Sequence, residues 1–473
     1  MKNKLYTIVL LSTLLFACGG GKKQTLEAEV KKEKPETIEI PGELIADTVM
    51  PLPGIKYTEI RKIDPAHPPV ELKLDEPLEK KAFDLADYYS SVQYRMLDFT
   101  HKEEFPGFLG DASFQIIYER GMAAGGGINT NIILGSNSII AGNQHLGYYH
   151  YDENGKFLKD IAKPVNFPAF DEANNRISME RKENTDYFTG KAQSFGDMFT
   201  FSEMKNKKTC INYYSISKQG IYYQRYTQFG SSIPINEKEM MAFSYNPTAT
   251  KQEPIMYSFS IKGDTLCCFT NHNPLPEKEI KRAFASPESV ELYYWGGQLN
   301  FRQPYNDTIY SFKSSCEINP RYILSYPGYK PDIETVLTGN KAGKYFIYKI
   351  KETNNFLFII YTSDYDCPNN RKNGSVKFYY ALYDKSDKQL YQIASNVFPE
   401  DFTVKNSIQD GIPVNLALVK TYENKLYLGY TKSQLKRIID SKDFQAYPAE
   451  KQEKIKSLYD DLPDSGLLVA IFE

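Results

Sequence analysis

The sequence is short of the residues that most metal and covalent-catalysis sites use: its 473 residues include five His, six Cys and one Trp. His67, His101, His145, His150 and His272 form no HExxH, and the cysteine spacings match no zinc knuckle or redox CxxC. Carried on one strand, His145 and His150 would face opposite sides. No metal or cofactor is expected. An excess of one charge is missing too, since 57 Lys and Arg face 59 Asp and Glu for a net charge of −2. That balance excludes nucleic acid and other polyanions as partners held by bulk charge. With 29 Gly and 26 Pro, the chain is neither collagen-like nor wholly disordered. No run approaches 18 apolar residues, so no helix is expected to cross a membrane. What is abundant is aromatic: 37 Tyr and 28 Phe in a chain that is 41% hydrophobic and 25% charged. These numbers describe a folded body, large enough for one big all-β domain or two to three ordinary ones.

The N-terminus points to the cell envelope. Lys2 and Lys4 precede a mostly apolar run at 5–17, too short to span a bilayer as a helix. Its end, Leu15-Phe16-Ala17-Cys18, resembles a bacterial lipobox. On that resemblance residues 1–17 are a lipoprotein signal peptide, Cys18 is the lipidation site, and the membrane is a partner through the attached lipid. Gly19-Gly20-Gly21-Lys22-Lys23 follows as a flexible tether. Loss of Lys2 and Lys4 with the leader takes the net charge from −2 to −4. Residues 18–56 read as a Pro-rich spacer; eight of the 26 prolines fall between Pro35 and Pro77. Such a segment buries too little apolar surface to offset the entropy of ordering. The expected location is the envelope, lipid-anchored, with the outer membrane favoured.

From about residue 57 the dominant signal is a recurring hairpin. Residues 149–158 alternate apolar and polar side chains around Asp152-Glu153-Asn154-Gly155, a turn of the Asx/Gly kind. Similar units occupy 213–222 and 257–266, with a looser copy at 380–391 and a turn and strand at 306–312. Successive sites are about 40 to 75 residues apart, the spacing of four-stranded blades with variable loops. Helical periodicity is confined mainly to 433–462: Ser433 is a candidate cap, and Ile455, Leu458, Tyr459 and Leu462 share one face. Residues 467–472 read as a buried terminal strand, expected to pair near the first strands and close a ring.

The lipobox, the spacer, segment 149–158, the stretch Phe301-Arg302-Gln303-Pro304-Tyr305-Asn306-Asp307-Thr308-Ile309-Tyr310 and the nearby Pro320-Arg321-Tyr322 together resemble the six-bladed β-propeller lipoproteins of unknown function from Bacteroides-type bacteria. The resemblance implies an all-β propeller over 57–473, six-bladed with seven blades also compatible, carrying a short C-terminal helical segment and a closing strand. Its motifs are structural turns and bring no chemistry with them.

Of the cysteines beyond Cys18, Cys267 and Cys268 are neighbours on a strand pattern and cannot easily bridge each other. Most are expected to be small buried apolar residues; a disulfide such as Cys316 to Cys367 is compatible with the sequence but not derivable from it. The candidate ligand-binding cluster is Tyr293, Tyr294, Trp295, Gln298, Asn300 and Arg302, followed by Gln303. An aromatic platform beside amide and guanidinium donors suits the apolar faces and hydroxyls of a sugar, although the same residues also suit packing between blades. Asp364, Asp366 and Asp401 are the carboxylates a glycosidase pair would draw on. Asp47-Thr48-Val49, Asp264-Thr265-Leu266 and Asp307-Thr308-Ile309 resemble acceptors of periplasmic O-glycosylation. No catalytic spacing is present, so the expected function is a non-enzymatic envelope lipoprotein that binds a glycan or an envelope protein. The alternative is a hydrolase acting on a polysaccharide or glycopeptide in the propeller channel.

Overall fold

The computed structural model describes residues 57–58, 66–99 and most of 131–473; the longest stretches outside them are 1–56, 100–130, 271–290, 331–342 and 364–375. The lipobox with Cys18 and the spacer therefore lie outside the described residues.

Four strands lead in: β1 (Tyr57–Thr58), β2 (Val70–Lys73), β3 (Glu79–Lys80) and β4 (Val92–Asp98). Blade 1 is β5 (Asn131–Gly135), β6 (Ser138–Asn143), β7 (Gly147–Asp152) and β8 (Phe157–Ala162). A small ladder of β9 (Ala169–Phe170) and β10 (Arg176–Ser178) precedes blade 2, which holds β11 (Tyr187–Phe188), β12 (Gln193–Phe195), β13 (Met198–Lys205), β14 (Lys208–Ser215) and β15 (Gly220–Thr227). Blade 3 is β16 (Ser232–Asn236), β17 (Glu239–Phe243), β18 (Pro254–Ser260) and β19 (Thr265–Thr270). Blade 4 is β20 (Glu291–Trp295), β21 (Gln298–Arg302), β22 (Thr308–Ser314) and β23 (Glu317–Ser325). Blade 5 is β24 (Tyr345–Glu352), β25 (Phe356–Ser363), β26 (Lys377–Asp384) and β27 (Gln389–Ser395). Blade 6 takes β28 (Lys420–Tyr422), β29 (Lys425–Thr431) and the terminal β30 (Gly466–Phe472), and completes itself with β4.

The inner strands touch in order around the axis, from β5 through β12, β16, blade 4, β24 and β28 back to β5. The fold is thus a six-bladed propeller. Its closure is the expected one: β30 pairs antiparallel with β4 from Gly466↔Asp98 to Phe472↔Val92, so a strand that precedes blade 1 and the last strand share one sheet. The rest of the N-terminal segment runs around the rim. It adds a parallel fifth strand to blade 3 (β1 on β19), blade 4 (β2 on β23) and blade 5 (β3 on β27), covering edges that would otherwise expose unpaired backbone.

The sequence repeat has a simple meaning. Segments 149–158, 213–222, 257–266 and 380–391 are the hairpins joining the two outer meander strands of blades 1, 2, 3 and 5. Asp152 Oδ1 accepts from the backbone N–H of Asn154 and Lys156, each at 2.9 Å, and Gly155 takes φ +87° against the Met96 carbonyl of β4, where an added Cβ would approach to 2.6 Å. Blade 6 lacks such a hairpin because its outer strand is β4. Between β29 and β30 it carries α1 (Lys432–Ile439), α2 (Lys442–Gln445) and α3 (Ala449–Asp461) instead. The cap of α1 is Thr431, not Ser433: Thr431 Oγ1 accepts from Gln434 N at 3.1 Å and Gln434 Oε1 accepts from Thr431 N at 2.8 Å, a reciprocal box that Ser433, already inside the helix, cannot make.

The aromatic surplus sits between blades. Each hydrophobic cluster spans one junction: Leu97, Ile132, Tyr149 and Val469 join blades 6 and 1, while Tyr148 and Phe199 join blades 1 and 2, with ring centres 5.4 Å apart. The blade 5–6 cluster also takes in Leu435, Phe444 and Ile455 of the helices. A second staple is covalent. Cys267 of β19 is disulfide-bonded to Cys316 in the β22–β23 turn, with Cα atoms 5.4 Å apart, linking blades 3 and 4. The Cys316–Cys367 pairing is thereby corrected: Cys267 faces blade 4 directly across the junction. Cys268 points the other way, and it and Cys210 are buried thiols outside the disulfide.

Candidate functional site

Side chains that carry chemistry converge where blades 4 and 5 meet. β20 and β21 are joined by Gly296-Gly297 with φ +59° and +70°, a two-residue turn that needs left-handed backbone at both positions and sets Trp295 opposite Gln298. Next to it Glu352, fully buried at the end of β24, collects three donors. Arg321 of β23 gives Nη2 to Oε1 at 2.7 Å and Nη1 to Oε2 at 3.0 Å. Lys385 Nζ reaches Oε1 at 2.7 Å and Tyr322 Oη reaches it at 3.0 Å. Both cations also lie against the indole of Trp295, Arg321 Cζ at 4.0 Å and Lys385 Nζ at 4.1 Å from the ring centre.

Burial opposes the Arg321 charge, but the paired Glu352 outweighs it and raises the guanidinium pKa further. Lys385 shares that carboxylate, and burial wins there: its pKa falls below the ordinary lysine value. Burial and then the Glu352 charge push the hydroxyls of Tyr293 and Tyr322 upward.

Lys385 is also one wall of a polar hollow of about 460 Å³, lined by Lys81, Asp87, Tyr88, Asn354, Asn355, Asp384, Lys385 and Ser386. Asp384 Oδ2 accepts from Lys81 Nζ at 2.9 Å and Tyr88 Oη at 2.8 Å, and its Oδ1 from Ser386 Oγ at 2.7 Å. Burial alone would raise the Asp384 pKa; these donors overcome it and hold the carboxyl below the usual range. A second hollow of about 310 Å³, lined mainly by apolar residues such as Phe83, Ile393 and Phe402, gathers no comparable set of polar groups.

The residues singled out in the sequence divide four ways. Tyr293, Trp295 and Asn300 come together around Arg321 and Glu352; Asn300 Oδ1 accepts from Arg321 Nη1 at 2.7 Å. Tyr294 turns to the opposite face of the strand, where its hydroxyl donates to Pro234 O of blade 3 at 2.5 Å. Arg302 is fully buried and ties backbone together, donating to Asn306 O at 2.7 Å and Ile347 O at 3.3 Å. Gln298 is exposed at the turn and accepts from Ser311 Oγ at 2.8 Å. As placed, the Trp295 ring has a face covered by cations, so it is a member of an ion network before it is a platform.

Of the other candidates, His150 is buried with Nδ1 3.1 Å from Tyr214 Oη, whereas His145 lies outside the described residues. Thr308 is 8% exposed and donates to Asp307, which closes it to a transferase in the folded protein; Thr265 is half-exposed. Thr48 and the carboxylates Asp364, Asp366 and Asp401 lie outside the described residues. No group of His, Cys, Asp and Glu among the described residues could hold a metal ion, and no described helix is long and apolar enough to cross a membrane.

Glu352, Lys385, Lys81 and Asp384 were not singled out from the sequence. Arg321 and Tyr322 did carry a signal, as part of the Pro320-Arg321-Tyr322 motif: both side chains grip Glu352.

Ring closure through β4 and β30, with a polar cluster across one blade junction, defines the class: a six-bladed β-propeller with a candidate binding face. Residues 52–441 match DUF4933, a domain of unknown function, and the chain belongs to that family. Among solved structures, a putative exported protein from Bacteroides fragilis is similar over 85% of this chain and 98% of its own, at 13% identity and a TM-score of 0.51. A member of the DUF4221 family from Bacteroides vulgatus aligns over 81% of this chain and 99% of its own, at 10% identity and a TM-score of 0.34. No curated protein matches the sequence. The first of these likenesses shows the fold, not a ligand.

Proposed function

We propose that this chain is a lipid-anchored binding protein of the cell envelope, tethered through Cys18 at the outer membrane, whose propeller holds a glycan in the hollow between the blade 5 turns and residues 81–88, beside the Glu352 cluster. One observation carries this reading. The hollow of about 460 Å³ is lined by amide, hydroxyl, ammonium and carboxylate groups that can donate and accept, while the carboxylates best placed for catalysis are already engaged. Glu352 is enclosed by Arg321, Lys385 and Tyr322, and Asp384 is held below the usual carboxylate range by Lys81, Ser386 and Tyr88. A glycosidase needs the reverse, an acid whose pKa is raised and a second carboxylate free to attack or activate water. A sugar ring needs what is present: hydroxyl-matching donors and acceptors beside aromatic surface. The Cys267–Cys316 disulfide fits an oxidising compartment outside the cytoplasm. A glycan and envelope-protein binding screen with the detergent-solubilised full-length protein tests it, repeated with Asn354→Ala and Trp295→Ala.

A further inference from the structure

Most polar groups that line the hollow of about 460 Å³ already have partners inside the protein. Lys385 Nζ donates to Glu352 Oε1 at 2.7 Å and Thr353 O at 2.6 Å, and lies 4.1 Å from the centre of the Trp295 ring. Arg321, against the same ring, is held at two points by the same carboxylate. Lys81 Nζ donates to Asp384 Oδ2 at 2.9 Å and lies 4.5 Å from the centre of the Tyr391 ring. Asp384 takes three further donors, Tyr88 Oη at 2.8 Å, Ser386 Oγ at 2.7 Å and Ser386 N at 3.0 Å. Four donors fill the roughly four lone-pair sites of a carboxylate. A ligand therefore meets cations already paired and, in Asp384, an acceptor already saturated.

Asp87 and Asn355 differ. Tyr88 is pinned at both ends to the turns of blade 5: its hydroxyl donates to Asp384, and its carbonyl accepts from Asn355 Nδ2 at 2.9 Å. That places the preceding residue, Asp87, in the wall of the hollow, at the end of a short 3-10 turn over Leu85–Asp87. Asp87 is exposed, and among the described residues no ammonium, guanidinium or hydrogen-bond donor reaches its carboxylate. Asn355 can turn its amide only one way, since the Tyr88 carbonyl accepts and cannot donate, so Oδ1 is left as an acceptor. Burial first, and then Asp384, Asp87 and Asp387, push the Tyr88 hydroxyl upward, in keeping with a negative field at this wall. What the hollow offers a ligand is thus an unpaired carboxylate and an amide oxygen, which accept hydrogen bonds and attract positive charge.

We propose that the glycan held there is an amino sugar with a free, protonated amine, its ammonium donating to Asp87 and a neighbouring hydroxyl to Asn355 Oδ1. This rests on the reading of the hollow as a glycan site and adds to it the charge of the ligand. N-acetylation of the amine removes the charge that Asp87 attracts, and a uronic acid sets a second carboxylate against it. Both bind less tightly than the amine.

The test is calorimetric titration of the full-length protein in detergent at low salt, with a glucosamine trisaccharide and its N-acetylated counterpart as separate probes. The amine form should bind at least about tenfold more tightly, the worth of one charge-assisted hydrogen bond. Asp87→Asn should melt with the parent and bring the two probes within about twofold of each other, whereas Asp87→Glu should keep the preference. Equal or tighter binding of the N-acetylated probe by the parent overturns the amino-sugar assignment and leaves the glycan reading standing, because the protein then binds a neutral sugar. A preference unchanged in Asp87→Asn overturns the assignment as well. So does binding of neither probe, and the wider glycan screen then decides separately whether the hollow is a glycan site.

Discussion

Arg321 and Glu352 form a two-point ion pair between neighbouring blades, with Nη2–Oε1 at 2.7 Å and Nη1–Oε2 at 3.0 Å, and Glu352 fully buried. The carboxylate also serves Lys385 and Tyr322, so removing it strands two cations in a largely dehydrated junction. Glu352→Ala should therefore cost about 3–5 kcal/mol of stability, the scale for breaking a buried pair from one side. In urea unfolding, Arg321→Ala combined with Glu352→Ala should cost less than the two single changes added together. Simple additivity would show that the pair is not coupled.

The Cys267–Cys316 bond closes a loop of 49 residues across the blade 3–4 junction. In the chain-entropy view that contributes up to about 4 kcal/mol. Cys316→Ser, or reduction of the parent, should lower the melting temperature clearly. Reductant should have no further effect on the Cys316→Ser protein.

Blade 6 exists only because β30 lies between β29 and β4. Deleting residues 466–473 removes that central strand, leaves β4 unpaired, and uncovers the clusters on both sides of the blade. Cooperative unfolding should be lost, as followed by calorimetry. A truncated protein that melts in one transition at the parent temperature would show that the ring does not depend on this closure.

Lys420 sets a pH signature. Its folded pKa is about 8 against an ordinary 10.5, so between those values the unfolded chain binds the proton that the folded chain has released. By linkage, the ligand-free protein gains stability from this group as pH rises from about 8. That gain is absent below about 8, where both states are protonated. Urea unfolding from about pH 7 to 9.5 on the parent and Lys420→Gln checks the sign, with the variant expected to be flatter.

Much of the fold was legible because its signals are local. Period-two alternation and the Asp152-Glu153-Asn154-Gly155 turn fix a hairpin within ten residues, and each such hairpin proved to be the outer pair of a blade. The Asn306-Asp307-Thr308 motif is equally local, Asn306 Oδ1 accepting from Thr308 N at 3.0 Å. The closing strand was readable from six consecutive apolar residues at 467–472. What was not legible depends on contacts far apart in the chain. Nothing near Cys316 points to Cys267 as its partner, and nothing near Glu352 announces Arg321, Lys385 and Trp295 around it. Val70-Glu71-Leu72-Lys73-Leu74 alternates at period two and marks β2 as a strand, but nothing local shows that β1, β2 and β3 dock parallel on three successive blades. Trp295 was singled out for its chemistry, but the cations that approach its ring come from other strands.

The central claim is that the hollow at the blade 5 turns binds a glycan and does not cleave it. The most direct measurement is a screen of the full-length protein in detergent against defined glycans and envelope extracts, with released sugars quantified in the same samples. Retention of a glycan without released product, lost in Asn354→Ala at unchanged melting temperature and weakened in Trp295→Ala, is the predicted result. Accumulation of cleaved product, or glycan retention indifferent to both substitutions, would contradict the account.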